Sequence, residues 1–467
     1  MTDSQALTVR IIETPSLGDR SYLVHDGTVA FVVDPQRDID RVLEVLQADG
    51  VRLTHVFETH IHNDYVTGGF ALAEATGAAY LVNAADEVSF ARTPIADDEV
   101  VQVGPAMRVR AIATPGHTFT HLSYAVSTIG DDGTEEPYAV FTGGSLLYGA
   151  TGRPDLLGAE HTDTLVRHQH ASAHRLADEL PDAAEVYPTH GFGSFCSASQ
   201  SDATSSTLGQ EKRSNPVLTQ DEETYVRELL AGLSAWPAYY AHMAPRNSAG
   251  PQAPDLSPVD TADAGELRRR IEAGEWVVDL RTRTAFAAGH APGTFNFGLD
   301  GQFATYLGWL IEWGTPVTLL GETSEDVARA QRELVRIGID RPAAQATGDP
   351  TSWTTGELTS YPTATFADLA QVRHHRRVVV LDVRRTDEHR AGAVEGALNI
   401  PLHELPRRTG EVPAGEVWVH CAAGYRASIG ASFLDAAGRT VVAVDDAFDQ
   451  ARAAGLPMVG TEEPDAG

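Results

Sequence analysis

The stretch Thr59-His60-Ile61-His62-Asn63-Asp64-Tyr65 puts two imidazoles and a carboxylate within five positions, directly after the apolar run at residues 53–57. An i, i+2 histidine pair on a loop leaving a strand can aim both rings at one metal ion. The carboxylate two residues on can ligate as well, or hold an imidazole in its tautomer. Imidazole with carboxylate is a transition-metal donor set. Two further histidines recur in similar settings, at Pro115-Gly116-His117 and Pro188-Thr189-His190-Gly191, each after an apolar or extended segment and at a glycine-containing turn.

A different chemistry is offered near the C-terminus. The apolar run at residues 417–420 leads into Cys421-Ala422-Ala423-Gly424-Tyr425-Arg426 and then into an apolar helix. A thiol at the start of a short loop before a helix meets successive backbone N–H groups and the positive end of the helix dipole. Both stabilise a thiolate, and equally a persulfide or a bound oxyanion. Arg426 adds a fixed positive charge.

These residues need elements to hold them. Residues 8–34 predict short strands with turns between, and residues 38–49 a helix stopped by Gly50. The strand at 53–57 and a helix opened by Thr67-Gly68-Gly69 and running to Thr76 follow, with strands near 79–82, 107–113, 122–126 and 139–141 and a helix over 162–179. Strands bracketed by helices, with reactive residues at strand ends, indicate a layered α/β domain. The polar stretch 199–220 predicts a loop and 221–233 a short helix. Residues 244–258 carry four prolines among Ser, Gly and Asn, which predicts a linker.

Beyond the linker the chain repeats itself. Trp276-Val277-Val278-Asp279-Leu280-Arg281 is echoed by Val379-Val380-Leu381-Asp382-Val383-Arg384. Gly289 to Asn296 is echoed by Gly392 to Asn399. The period of about 100 residues is that of a small domain, not of a solenoid unit. In the first copy Gly321 stands where the second has Cys421, and Asp326 where it has Arg426.

Composition bounds the function. A chain of 467 residues with a formal charge of -30 would repel nucleic-acid phosphates. No apolar run approaches the roughly 18 residues of a membrane span. Residues 1–9 lack a basic-then-apolar pattern, so no signal peptide is expected. With only two cysteines, Cys196 and Cys421, far apart in sequence, no disulfide framework is expected and a reducing cytoplasm is the default.

Cys421 to Arg426 resembles the six-residue active-site loop of rhodanese sulfurtransferases, as do the Asp382-Val383-Arg384 strand end and the Gly392 to Pro401 segment. The first 240 or so residues resemble the metallo-β-lactamase fold, and within it persulfide dioxygenases fused to rhodanese domains. The residues carrying that likeness are Thr59 to Tyr65, Thr114-Pro115-Gly116-His117-Thr118, Phe141-Thr142-Gly143, Gly152-Arg153-Pro154-Asp155-Leu156, and Pro188 to Cys196. The resemblance implies an α/β architecture: an N-terminal αββα sandwich at residues 1–245, a degenerate rhodanese domain without its cysteine at 255–358, and a rhodanese domain with Cys421 at 360–467. It implies one iron(II), with zinc as the alternative, and O2-dependent oxidation of a low-molecular-weight thiol persulfide to sulfite. Cys421 and Arg426 would be catalytic in sulfur transfer to sulfite or thiosulfate. Ala422, Ala423, Gly424, Tyr425, Cys196 and Arg153 would bind substrate, with Cys196 alternatively a structural thiol. A homo-oligomer is expected. The rival implied activities are a zinc-dependent thioester hydrolase of the glyoxalase II kind and a metal-free scaffold that feeds Cys421.

The sequence departs from that family at two places. Tyr65 stands where two-metal members have histidine, so one metal is expected. Gly144 stands where the family has its ligating aspartate. His62 can fill the gap, or Asp64, or a water or substrate thiolate. The favoured set is His60, His62 and His117, with Asp64 and His190 behind it, holding the ligands.

Overall fold

The computed structural model describes residues 7–130 and 132–460. Contacts divide the chain into two compact units. The first comprises Met1–Asp255 with Val335–Ile339, and the second Leu256–Leu334 with Asp340–Gly467.

The first unit is built on two six-stranded sheets. One runs in sequence order through Thr8–Thr14, Asp19–His25, Val29–Val33, Arg52–Phe57, Ala79–Asn83 and Thr93–Ile95. The other orders Ser206–Thr207, Glu185–Pro188, Glu135–Gly143, Leu122–Ile129, Met107–Ala113 and Val100–Gln102. Side-chain alternation explains the layering. In Val29–Val33, every residue of which is buried, Val29, Phe31 and Val33 join the core between the sheets, while Ala30 and Val32 face an outer cluster. Tyr22, Phe57, Tyr124 and Phe141 fill the inner layer. Helices Asp40–Asp49 and Gly69–Thr76 cover one outer face through Val42, Leu46 and Leu72. Helix Ala159–Glu179 covers the other through Val166, Ala173 and Leu176. With both sheets covered on both sides the unit is an αββα sandwich.

Two segments depart from expectation. Residues 199–220 are not a plain loop: helices Leu208–Ser214 and Pro216–Thr219 form there. Thr207 and Gln210 make a reciprocal capping box, Asn215 caps Val217 N–H, and Leu208 and Val217 enter the core, which a polar composition conceals. The expected linker begins inside the first unit as helix Met243–Ser248. Its Asn247 is buried and clamps the His62 loop, donating to the carbonyls of His62 (2.9 Å) and Tyr65 (2.8 Å) and accepting from Thr67 N–H (2.9 Å). The first unit therefore runs past residue 245, to Asp255.

The second unit holds two parallel sheets. One orders Phe295–Asn296, Trp276–Asp279, Val317–Gly321 and Ala344–Thr347. The other orders Thr363–Ala364, Val441–Val444, Val417–His420, Val379–Asp382 and Leu398–Asn399. The sequence repeat is a repeated strand-end clamp. Arg281 donates to Asp279 (2.6 Å) and to Gly289 O (2.8 Å), and Asn296 donates to the carbonyls of Asp279 and Arg281. Arg384 donates to Asp382 (2.7 Å) and to Gly392 O (2.7 Å), and Asn399 donates to the carbonyls of Asp382 and Arg384. Each clamp joins the end of one strand to the start of the next, so the echoed residues conserve geometry around each sheet edge.

Candidate metal centre and thiol station

Four loops at one end of the sandwich bring the histidines together. His60 and His62 follow strand Arg52–Phe57, His117 follows Met107–Ala113, Gly144 follows Glu135–Gly143, and His190 follows Glu185–Pro188. Asp34, just past Val29–Val33, ties two of them. Its carboxylate accepts from Thr59 N–H (2.7 Å), Thr59 Oγ1 (2.7 Å) and Thr189 Oγ1. It does so from a left-handed backbone conformation (φ 51°) that a non-glycine residue seldom adopts.

In three rings a protein group occupies Nδ1 and leaves Nε2 as the nitrogen free to ligate. His60 Nδ1 donates to Thr59 Oγ1 (2.9 Å), whose own proton goes to Asp34. His117 Nδ1 donates to the Arg153 carbonyl (2.8 Å). His190 Nδ1 donates to Asp19 (2.9 Å) and lies 3.1 Å from Asp64. Holding one ring nitrogen in this way is how proteins orient imidazoles toward a metal. His62 is turned the other way. Its Nε2 is shared by Tyr65 Oη (2.9 Å), Glu58 (3.2 Å) and Asp34 (3.3 Å), so Nδ1 is the nitrogen left free. His117 Nε2 and His62 Nδ1 are buried without a hydrogen-bond partner.

Ligand atoms of His60, His62 and His190 lie within 4.8 Å of one another, as do those of His117, His190 and Cys196. His190, expected behind the ligands, falls in both of these groups, with its Nε2 3.5 Å from that of His60. The pairing with Asp19, 171 residues away in the chain, swings it inward. Asp64 lies 3.1 Å from His190 Nδ1, and its ligand atom falls with those of Asp19 and His190 inside 4.8 Å. Arg153 does not face substrate. Its guanidinium is buried and spent on Asp155 (2.7 Å) and Ser234 O (2.7 Å), and its contribution is the carbonyl that orients His117. His121, Asp19, Asp34 and Glu58 were not singled out from sequence. For His121 a signal existed, the i, i+4 spacing from His117. Its Nε2 accepts Gly144 N–H (3.1 Å), which fixes the loop.

Gly144 has a steric cause. A Cβ there would lie 2.3 Å from His117 Cδ2 and 2.7 Å from its Cγ. The ring stands where a side chain at 144 would begin.

Charge in the centre is balanced by carboxylates. Burial opposes the charge on His62, but Asp34 and Glu58 outweigh it and hold its pKa up at about 9. Burial likewise opposes His190, and Asp64 and Asp19 raise it to about 10. Burial and the neighbouring His190 push His117 down to about 3, so that ring is neutral and able to ligate. Orphaned ring nitrogens, aimed imidazoles and buried carboxylates fit a metal ion.

In the second unit Cys421 ends strand Val417–His420 and is 2% exposed. Its Sγ accepts Gly424 N–H (3.2 Å) at the head of helix Tyr425–Ala436. Gly424 has φ 90°, and a Cβ there would strike Asp445 Oδ1, so the loop needs glycine. Arg426 is held bidentately by Glu388 (2.6 and 2.7 Å). The Tyr425 side chain does not face substrate: its hydroxyl donates to Gly298 O of the first copy (2.8 Å). Ser428 donates to Asn296 (2.6 Å), and Arg283 to Asp445 (2.7 Å). The copy without a cysteine therefore buttresses the loop of the copy that has one.

His420 carries a pH prediction. Burial lowers its pKa to about 4, both ring nitrogens lack hydrogen-bond partners, and the ring stacks on Phe448. The unfolded chain takes up this proton near pH 6.5, whereas the folded chain resists until about pH 4. Stability is full above pH 6.5 and declines as pH falls through that window, by about 3 kcal/mol across the whole of it. Replacing His420 by Phe flattens the decline, which unfolding midpoints at about pH 7 and about pH 5 will show.

The metallo-β-lactamase superfamily model matches residues 19–190, from the carboxylate that holds His190 to His190 itself, and the rhodanese-like domain model matches residues 365–454. The chain carries a metallo-β-lactamase domain and a rhodanese-like domain. The metallo-β-lactamase domain is similar to hydroxyacylglutathione hydrolase of Acidiphilium cryptum, at 38% identity over 117 residues, which are 24% of this chain and 47% of that protein. It is similar to hydroxyacylglutathione hydrolase of a Polaromonas species, at 28% over 165 residues, 35% of this chain and 57% of that protein. The chain thus spans about half the length of these curated relatives. A crystal structure of a metallo-β-lactamase from Staphylococcus aureus subsp. aureus COL superposes with a TM-score of 0.65 and 27% identity, covering 74% of this chain and all of that one. Among the described residues no helix is long and apolar enough to cross a membrane.

Proposed function

We propose that the chain handles sulfane sulfur at two stations. The metallo-β-lactamase domain holds one iron(II) and oxidises a low-molecular-weight thiol persulfide with O2 to sulfite. The rhodanese domain moves sulfane sulfur through Cys421. The observation that carries this reading is the Cys421 cradle, a thiol at a helix N-terminus, in one chain with a metal-type histidine centre whose relatives bear the name of a glutathione-thioester hydrolase. A bound metal would supply O2 activation and Lewis acidity. The chain's own contribution there is to aim the Nε2 atoms of His60, His117 and His190, and to keep the centre buried.

At the second station the Cys421 thiolate attacks the outer sulfur of a persulfide. The S–S bond of the donor breaks, the donor thiolate leaves, and Cys421 holds a persulfide, which Gly424 N–H and the helix N-terminus stabilise. Attack by sulfite on that sulfur releases thiosulfate and restores the thiolate.

Metal content after anaerobic purification, with O2 uptake on adding glutathione persulfide, tests the first station. The expected result is about one iron per chain and persulfide-dependent uptake. The relatives' names favour a second reading, a zinc thioester hydrolase. Zinc with turnover of a glutathione thioester and no O2 uptake would replace the first reading with the second.

A further inference from the structure

We propose that Cys196 is a metal ligand, and that its thiolate completes the donor set from which Gly144 removes a carboxylate. The inference rests on the reading of the metallo-β-lactamase domain as metal-binding, and it assigns a residue that the fold's histidine motifs do not include.

The placement is specific. Cys196 is fully buried, and its Sγ lies with a nitrogen of His117 and a nitrogen of His190 inside 4.8 Å. His117 is itself fully buried, and its Nε2 has no hydrogen-bond partner; His62 Nδ1 and both Asp64 oxygens nearby are left bare in the same way. A buried imidazole nitrogen left bare loses the hydrogen bond water gave it, and a proton donor or a cation must take its lone pair to recover that loss. Its Nδ1 is already committed to the Arg153 carbonyl, so the free lone pair is on Nε2 and a cation is its natural partner. His190 is prepared in the same way, with Asp19 on Nδ1. His117 is already neutral, and His190 gives up its Nε2 proton when a cation takes its place, so that two imidazoles and a thiolate form a recognised donor set for a transition metal.

The loop is built to deliver the thiol. Arg153 N–H donates to the Cys196 carbonyl (2.8 Å), and Cys196 N–H to Ser194 Oγ (3.2 Å). Arg153 therefore fixes both His117, through its carbonyl, and the backbone of Cys196. One residue sets the spacing of the two donors. The thiol proton has an acceptor at hand: burial and the Asp64 carboxylate hold the Cys196 thiol protonated, and both Asp64 oxygens are without a hydrogen-bond partner. Binding exchanges the S–H bond for an S–metal bond and the proton leaves through Asp64. No electron changes hands.

The chain has only two cysteines, so a Cys421→Ser background leaves Cys196 as the sole thiol. Full-length protein in that background, stripped and reloaded with cobalt(II), is expected to show a thiolate-to-cobalt charge-transfer band in the near ultraviolet beside the ligand-field bands. Adding Cys196→Ser is expected to abolish the near-ultraviolet band and weaken cobalt affinity roughly tenfold or more. X-ray absorption of the zinc-loaded Cys421→Ser protein needs no change at residue 196, and is expected to find one sulfur neighbour at about 2.3 Å. Ligand-field bands without a charge-transfer band, or a zinc shell without sulfur, would overturn the assignment while leaving metal binding intact. Failure to bind either ion would overturn the metal-binding reading itself, and the assignment with it.

Discussion

Replacing Cys421 by serine will abolish sulfur transfer from thiosulfate or a persulfide to an acceptor, by about a thousandfold or more. The change is one atom in a buried site, so the fold has little reason to respond. Serine Oγ can still accept the Gly424 N–H that Sγ now accepts, and the helix Tyr425–Ala436 begins where it did. The chemistry is what disappears. A serine hydroxyl is not ionised near neutrality and its oxygen cannot store a sulfane sulfur as a persulfide does. The variant should keep the parent's unfolding midpoint and metal content, so that the loss reads as chemistry. Retained sulfurtransferase activity would remove Cys421 from the mechanism and leave the proposed second station without a nucleophile.

Gly144→Asp will damage the metal centre even though it installs the carboxylate that the family resemblance leads one to expect there. The obstacle is steric and begins at Cβ, 2.3 Å from His117 Cδ2 and 2.7 Å from Cγ. His117 has little freedom to retreat. Its Nδ1 is anchored to the Arg153 carbonyl, and the Gly152 Cα faces the other part of the ring, where a Cβ would meet Nδ1 at 2.8 Å. The backbone of 144 is held in turn by its N–H to His121. Overpacking of this kind costs about 1–3 kcal/mol, and a displaced ligand lowers metal affinity on the order of tenfold or more. Gly144→Ala separates size from charge: it should show most of the same loss, since the clash is already complete at the methyl group. Isothermal titration with zinc on the stripped proteins gives the answer. An aspartate variant that binds more tightly than the parent would mean that His117 yields and that the carboxylate, not the space, was what the site lacked.

How much of this was readable in advance follows from the range of each interaction. The His60–His62–Asp64 cluster was legible because its members are neighbours in the chain on one loop after one strand. The Cys421 loop was legible for the same reason, and the Asp–Arg and Asn repeat because two copies of the same local clamp leave the same residues behind. Element positions followed from periodicity and glycine stops, and strand Met107–Ala113 stands where the pattern put it. Legibility failed where polar residues have buried work to do. Asn247 looked like part of a linker, yet it holds the His62 and Tyr65 carbonyls. The 199–220 stretch looked like a loop because its caps are polar and few of its residues, Leu208, Val217 and Leu218, pack on the core.

By itself, then, the sequence determined the two chemistries, imidazole–carboxylate at one end and thiol at a helix N-terminus at the other, together with the layered α/β frame. Residue type, short spacing and hydrophobic period are local, and local facts survive without coordinates. Only the tertiary structure decided which nitrogen each ring offers and to what. The sandwich brings Asp19 to His190 across 171 positions, and Asp34 to Thr189 across 155. The sandwich also sets Asp34 against His62 and Cys196 beside His117, and spends the second arm of the Arg153 guanidinium on Ser234 O, 81 positions away. A side chain's role depends on which of its polar atoms are already taken; Thr59, Tyr65 and Glu58 are neighbours in the chain, but Asp19, Asp34 and the Arg153 carbonyl reach the rings from other strands and loops.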